Sequence, residues 1–348
     1  MIPHKTNIAT IPTNKSVRKI TPQSLKEILF RILKLLVVPL SFAIVLYKIE
    51  SFVSQPGNNI FSNWQITDTV LLIEIIALML MNWLIEAVRW QILTRDIQKV
   101  SIASSLFGVI IGITVGLLTP KRIGEIGGRS LILKRENQKK GWIAFGIGSL
   151  IQTSVTALFG LMSLFYIYSL GQAEFMKNIE IFTYLSLFVF SLITLSVFHL
   201  PLIVEKLKKF SFLARRKHIF THLQNFSRKK LAIVYGLGMF KFIIFSSQFF
   251  LLIRLFGSDI NILNAFSGIS LTYLIITFSP FSSIADLGIR GSVTAFAFSI
   301  FSNNTGGIVI ASMALWIINL GIPALIGSIL FNNLRLVKSR LYSYTGNN

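Results

Sequence analysis

The chain contains no cysteine, which excludes disulfide staples, thiol nucleophiles and cysteine-held metal centres. Histidine is scarce, with four in 348 residues, so neither a metal nor another cofactor is expected. Charge is thin as well: Asp, Glu, Lys and Arg together make up 14%, where a soluble protein uses about a quarter of its residues to coat its surface. Much of the surface must therefore face something other than water. No GxxxxGK[ST] phosphate loop occurs, which argues against direct drive by ATP, and neither HExxH nor GxSxG is present. Residues 1–27 hold Pro3, Pro12 and Pro22 without the apolar core or cleavage site of a signal peptide. They read as a polar cytoplasmic tail.

What is abundant is apolar sequence. Hydrophobic residues make up 53% and the mean hydropathy is +0.69. Apolar runs lie at 28–47, 69–90, 101–119, 142–169, 181–200, 231–256, 261–279, 292–302 and 307–331, several of them near the ~20 residues that span a bilayer as a helix. The net charge of +21 invites a nucleic-acid partner, but its distribution points elsewhere. If every run crossed once, the basic loops 120–141 and 201–230 would fall outside, against the preference of Lys and Arg for cytoplasmic loops. Folding 101–135 and 261–303 into re-entrant hairpins from opposite sides removes the conflict. Six runs then cross fully, and 27 of the 34 Lys and Arg fall on the cytoplasmic side. The outer segments 48–68, 170–180 and 257–261 keep only Lys48 and Lys177. Trp90 and Trp142 would sit at the inner interface, Tyr47 and Trp64 at the outer. Eight crossings with a different hidden hairpin is the alternative. The stretch 201–230 suits an interfacial helix on anionic lipid or an ordinary basic loop.

The expected fold is thus an all-α polytopic membrane protein with about six full transmembrane helices and two re-entrant helical hairpins in a pseudo-inverted repeat. The transmembrane domain covers 28–331, followed by a cytoplasmic basic tail at 332–348. The setting is the inner (plasma) membrane, with both termini cytoplasmic.

Two matched interruptions carry the functional signal. Thr119-Pro120-Lys121-Arg122-Ile123-Gly124-Glu125 leads to Arg129, and Ser279-Pro280 leads through Ala285 to Asp286 and Arg290. Each places an arginine four residues after an acid, on one helix face, just beyond a helix-breaking proline. Matched breaks in two halves are the sequence pointer to a transporter whose site lies at the repeat interface. A buried charge at bilayer depth costs about 2.5–3.5 kcal/mol on insertion scales, so such residues persist where they pair or line a wet cavity. Glu74, Asn82, Glu86 and Arg89 on the run 69–90, with Lys241 and Arg254 on 231–256, extend the set; Asn82, Glu86 and Arg89 share a face. For Arg89 and Arg254 the competing reading is snorkelling at a helix end. Gly108, Gly112 and Gly116 form overlapping GxxxG steps that allow close helix contact. His218 and His222 read as solvated side chains of a basic loop.

At Asn82 to Trp90 (NWLIEAVRW), at Pro120 to Arg129 with Leu131 and Leu133, and at Pro280 to Arg290, the chain resembles the lysylphosphatidylglycerol synthase transmembrane, or flippase-like, family over roughly residues 30–330. It departs from the usual pattern at Lys121, where glycine is common, and at Gly291 and Ser292, where a glutamate often follows the arginine. The resemblance implies a lipid-handling membrane domain, in some members joined to a soluble aminoacyl-transferring domain. No such domain is expected after residue 348, so only lipid handling is carried over. Arg122, Gly124, Glu125 and Arg129 match the family's first motif.

The expected function is a non-enzymatic flippase or transporter of an anionic phospholipid or glycolipid. Arg122, Arg129 and Arg290 would contact phosphate, while Glu125 and Asp286 orient them or exchange a proton. Gly124, Asn82, Glu86 and Lys241 complete the substrate-binding set. The partner is membrane lipid rather than nucleic acid. One alternative is a non-catalytic partner of a cell-envelope glycolipid synthesis system. Another is an embedded transferase, for which Glu86 and Glu125 would be the acid/base pair.

Overall fold

The computed structural model describes residues 66–119, 122–171, 179–199, 202, 205, 226–278, 286–302 and 305–332. The expected crossing at 28–47, both tails, Tyr47, Trp64, His218, His222 and most of the basic stretch 201–230 lie outside the described residues. Among the described residues all regular structure is helical: α1 (Ile66–Thr94), α2 (Ile102–Leu117), α3 (Gly124–Ser130), α4 (Gln138–Ser169), α5 (Ile179–Phe198), α6 (Arg228–Leu255), α7 (Ile262–Phe278), α8 (Asp286–Ser299), α9 (Gly306–Trp316) and α10 (Ile322–Asn332). The stretches Asp68–Thr94, Arg135–Ser169, Arg228–Leu255 and Gly306–Phe331 are long and apolar enough to cross a membrane, as the outward faces of α1 and α5 also suggest. Val70, Ile73, Leu80, Ile181, Tyr184 and Phe188 are each more than half exposed, tolerable only against lipid or another apolar partner. The protein is a multi-pass membrane protein.

Long helices α1 and α6 run antiparallel. Gln248 Nε2 donates to Ile75 O at 3.0 Å near one end, and Lys230 Nζ donates to Leu93 O at 3.3 Å and Asp96 Oδ2 at 2.8 Å near the other. Serines start two helices: Ser101 Oγ accepts from Ser104 N–H at 3.1 Å and Ser227 Oγ from Lys230 N–H at 3.2 Å, each satisfying a donor that a helix start leaves open.

Two antiparallel hairpins of short helices enter this frame from opposite ends of α4. The first is α2 with α3. Its base sits at the start of α4, where Lys134 N–H donates to Gln98 Oε1 at 2.9 Å. The second is α7 with α8. Its base sits at the far end of α4, where Tyr166 Oη donates to Asn264 Oδ1 at 2.8 Å and Ser163 Oγ to Ser267 O at 2.8 Å. At ~1.5 Å per residue, the seven residues of α3 reach only about 10 Å.

Glycines bring the first hairpin's arms into backbone contact. A Cβ on Gly128 would lie 2.8 Å from Gly112 Cα and 2.9 Å from Ile111 O. The GxxxG steps of α2 therefore receive α3, and with it Glu125 and Arg129. On the far side of α2, Thr114 Oγ1 reaches Ala324 O of α10 at 3.4 Å.

The run expected at 307–331 is interrupted by a π-turn, Ile317–Gly321. Pro323 explains it, since it has no N–H for the carbonyl four residues back at Asn319, and its ring crowds that position. Trp90 departs from its expected place at the membrane interface. It is 1% exposed, within the core between α2, α4 and α6, while Trp142 is 49% exposed.

Gly128→Ala should destabilise the protein by about 1–3 kcal/mol through overpacking, read as a lower unfolding temperature in detergent. Gly127→Ala, where an added Cβ meets nothing within 4 Å, should leave that temperature unchanged or slightly raised.

Candidate functional site

Residues of the two hairpins converge on a cavity of about 280 Å³ between α1, α4, α6 and the π-turn segment. The first hairpin contributes Arg122, Glu125 and Arg129, and the second Tyr273 and Arg290. From the long helices come Asn82, Trp83 and Glu86 of α1, Gln152 and Thr156 of α4, and Lys241 of α6.

Glu86 is the hub. Its Oε2 accepts from Lys241 Nζ at 2.6 Å and from Arg89 Nη1 at 2.9 Å, and its Oε1 from Arg129 Nη1 at 2.5 Å. Three elements, α1, α3 and α6, are thus tied through one carboxylate. Glu125 forms a second node. Arg129 donates to it through both Nε, at 3.1 Å, and Nη2, and Arg122 Nη2 lies 2.8 Å from its other oxygen. Arg89 is held further by Gln152 Oε1 at 2.9 Å and Gly148 O at 3.1 Å. The guanidinium of Arg129 also lies 5.2 Å from the Phe145 ring centroid.

Depth and charge set the chemistry. Lys241 lies about 16 Å along α6 from Lys230, at ~1.5 Å per residue, near the middle of a helix long enough to span. In the network four cations, Arg89, Arg122, Arg129 and Lys241, face two carboxylates. The surplus is positive, and in a site of low dielectric it attracts an anion strongly. Arg129 and Arg89 are committed to other protein groups and almost fully buried. Arg122, whose side chain is 33% exposed, and Lys241, at 22%, are the cations with room to reach a ligand. Arg122 has φ +57, a left-handed backbone that a non-glycine residue adopts at a cost of about 1–3 kcal/mol, a kind of strain that gathers at binding sites. Arg290 packs its guanidinium 5.8 Å from the Tyr273 ring centroid.

Most of the sequence-derived set converges here, with clear exceptions. Asn82, Glu86, Arg122, Glu125, Arg129, Lys241 and Arg290 all line the cavity. Gly124 stands behind it. A Cβ there would lie 2.6 Å from Val115 O, and its N–H donates to Thr119 Oγ1 at 2.8 Å, so its place is in the turn that seats α3. The side chain of Asp286 lies outside the described residues, although its backbone opens α8. Glu74 is exposed rather than turned inward. Arg254 reaches outward at the end of α6, 53% exposed and 3.7 Å from Asp259, whereas Arg89 is only 2% exposed and belongs to the network.

Sequence reasoning missed the amide series beside the charges. Gln248 Nε2 donates to Ile75 O, Asn319 Nδ2 to Gln248 Oε1 at 2.8 Å, and Asn82 Nδ2 to Asn319 Oδ1 at 3.1 Å. Asn319 sits in the π-turn, and the one signal for it was Pro323 four residues later. Trp83, Trp316, Phe242, Phe245 and Tyr273 supply the apolar wall. Among the described residues no group of three or more His, Asp or Glu could hold a metal ion.

Compared with known proteins, the sequence model of the family described as "Lysylphosphatidylglycerol synthase TM region" matches residues 31–328. No curated protein matches the chain.

Glu86→Gln should lower stability by about 3–5 kcal/mol, because it leaves buried cations without their shared counter-charge. Lys241→Met should cost less, since two guanidiniums remain on Glu86, and adding it to Glu86→Gln should recover part of the loss. Thermal unfolding in detergent measures all three.

Proposed function

The chain belongs to the lysylphosphatidylglycerol synthase transmembrane family, and on that premise we propose that it binds the anionic headgroup of a membrane lipid in the cavity between its two hairpins and carries that lipid across the bilayer. The family gives lipid handling; the cavity supplies the reason for an anionic headgroup. The observation that carries the reading is the buried network in which four cations share two carboxylates beside an open volume. A phosphate oxygen next to Arg122 and Lys241 would supply part of the missing negative charge.

The proposed membrane arrangement has the two hairpins dipping in from opposite faces as re-entrant elements of an inverted repeat, with the remaining long runs crossing fully. Their opposite points of origin along α4 and their short arms support it. Broken backbone at membrane depth is tolerated where it is enclosed by protein or lines a wet cavity, and Arg122 and Arg290, beside the two breaks, both line the cavity. The Asp96–Lys230 end of the bundle lies cytoplasmic in this arrangement, in keeping with the distribution of Lys and Arg. Membrane insertion would be in the inner (plasma) membrane.

Transport in this reading is passive or ion-coupled. A non-enzymatic role fits the carboxylates better than transferase chemistry does. Glu86 and Glu125 each accept hydrogen bonds or ion pairs at both oxygens from protein cations, which leaves neither disposed to act on a substrate proton.

Reconstituted protein should move a fluorescent anionic phospholipid between leaflets, and Arg122→Ala should weaken binding of that lipid by about tenfold or more with an unchanged unfolding temperature. Wild type and Arg122→Ala indistinguishable from protein-free vesicles would overturn the proposal.

A further inference from the structure

The ion pairs of the cavity form one connected series. Lys241 meets Glu86, Glu86 meets Arg129, Arg129 meets Glu125 and Glu125 meets Arg122, with Arg89 attached to Glu86 as a side branch. Charge alternates along the series, and both ends are cations. Those ends, Arg122 and Lys241, have the most exposed side chains of the six residues, and both line the cavity. The interior of the series is closed to a ligand, because Glu86 and Glu125 each have both oxygens engaged.

Four cations against two carboxylates leave two positive charges without a counter-charge. Arg290 also lines the cavity, and Asp286 precedes it by one turn on α8. That acid and that base add equal and opposite charge, so the balance stands. Donors are in surplus as well. A guanidinium carries five N–H groups and an ammonium three, yet among the described residues Arg122 and Lys241 are each directed at one carboxylate.

A phosphodiester brings a single negative charge and leaves one positive charge of the series unmatched. A phosphomonoester brings nearly two negative charges at neutral pH, with three strong acceptor oxygens. It closes the balance and takes donors from both ends of the series. In a site of low dielectric that second charge is felt strongly. We propose that the cavity selects a phosphomonoester headgroup, a lipid ending in a terminal dianionic phosphate held between Arg122 and Lys241, over a phosphodiester. The proposal rests on the anionic-lipid reading above and names its substrate class. It also sets this chain apart from the lipid in its family's name, in which one phosphodiester charge is outweighed by the positive charges of a lysyl group.

The test measures binding to the full chain in detergent by isothermal calorimetry. The probes are dioctanoyl phosphatidic acid, a monoester, its methyl diester dioctanoyl phosphatidylmethanol, and inorganic phosphate. At about pH 7.5 the monoester should bind about tenfold tighter than the diester. At about pH 5, below the second ionisation of a phosphomonoester near pH 6, the two lipids carry the same charge and should bind alike. The diester's affinity reports any titration of the protein itself and should change little over that range. Arg122→Ala and Lys241→Met each remove one unmatched cation, so each should weaken the monoester more than the diester and bring the preference below about threefold. Arg122→Ala serves if Lys241→Met fails to fold. Equal affinity for the two lipids at pH 7.5, or a preference that persists unchanged at pH 5, would overturn selection by the second charge and leave the anionic-lipid reading intact. Variants that weaken both lipids in proportion would overturn the role given to Arg122 and Lys241. Inorganic phosphate should bind at least about a hundredfold more weakly than phosphatidic acid, since it lacks the acyl chains; equal affinity would overturn a lipid as the source of the phosphate. Failure of both lipids to bind would overturn the anionic-lipid reading itself.

Discussion

One carboxylate, that of Glu86, holds three cations from three elements in a region where water is scarce. Removed from water, each of those charges would carry a desolvation penalty of several kcal/mol, offset only where geometry and further hydrogen bonds are good. Glu86 supplies that compensation for Arg89 on its own helix, for Arg129 on the first hairpin and for Lys241 across the antiparallel contact with α6. The register of α1 against α6 and the seating of α3 therefore depend on the same group. Because four cations face two carboxylates in the network, this arrangement is complete as a scaffold yet two negative charges short as a charge balance. Stability and affinity for a ligand arise from one imbalance.

Packing delivers the charges to that position. Arg129 can reach Glu86 only because α3 lies backbone to backbone on α2, a contact that side chains at Gly112 and Gly128 would block. The hairpins differ in what they contribute. The first brings ionic groups, and the second brings Arg290 and an aromatic face at Tyr273. Pro323 adds the last piece from a distance, since the π-turn it imposes falls on Asn319, which orients the Asn82 amide. Two breaks from regular helix, one at Arg122 and one at the π-turn of Asn319, thus both line the same cavity.

Much of this was legible in the sequence, for physical reasons that also mark the limit. Helical spacing placed Asn82, Glu86 and Arg89 on one face and Glu125 with Arg129 on another, because i, i+3 and i, i+4 neighbours are fixed by the helix itself. The glycine steps and the proline breaks marked the close contact and the hairpins. What stayed hidden was pairing at long range. Nothing in the spacing says that Lys241 meets Glu86 across 155 positions, or that Gln152 steadies Arg89. Burial of single residues was equally opaque: Arg89 and Arg254 look alike as helix-end arginines, yet one is enclosed by α4 and the other reaches outward. Trp90 likewise matched an interfacial tryptophan by position and proved to be core. The amide series was invisible because three uncharged side chains on three elements leave no periodic trace.

The central claim, that the cavity's surplus of positive charge is completed by a lipid phosphate, is tested most directly by an experimental structure in nanodiscs of an anionic phospholipid. The account predicts headgroup density inside the cavity, with the phosphate within hydrogen-bonding distance of Arg122 and Lys241 and the Glu86 network intact beneath it. A cavity filled by an acyl chain, or empty while anionic headgroups line only the outer surface, would contradict it.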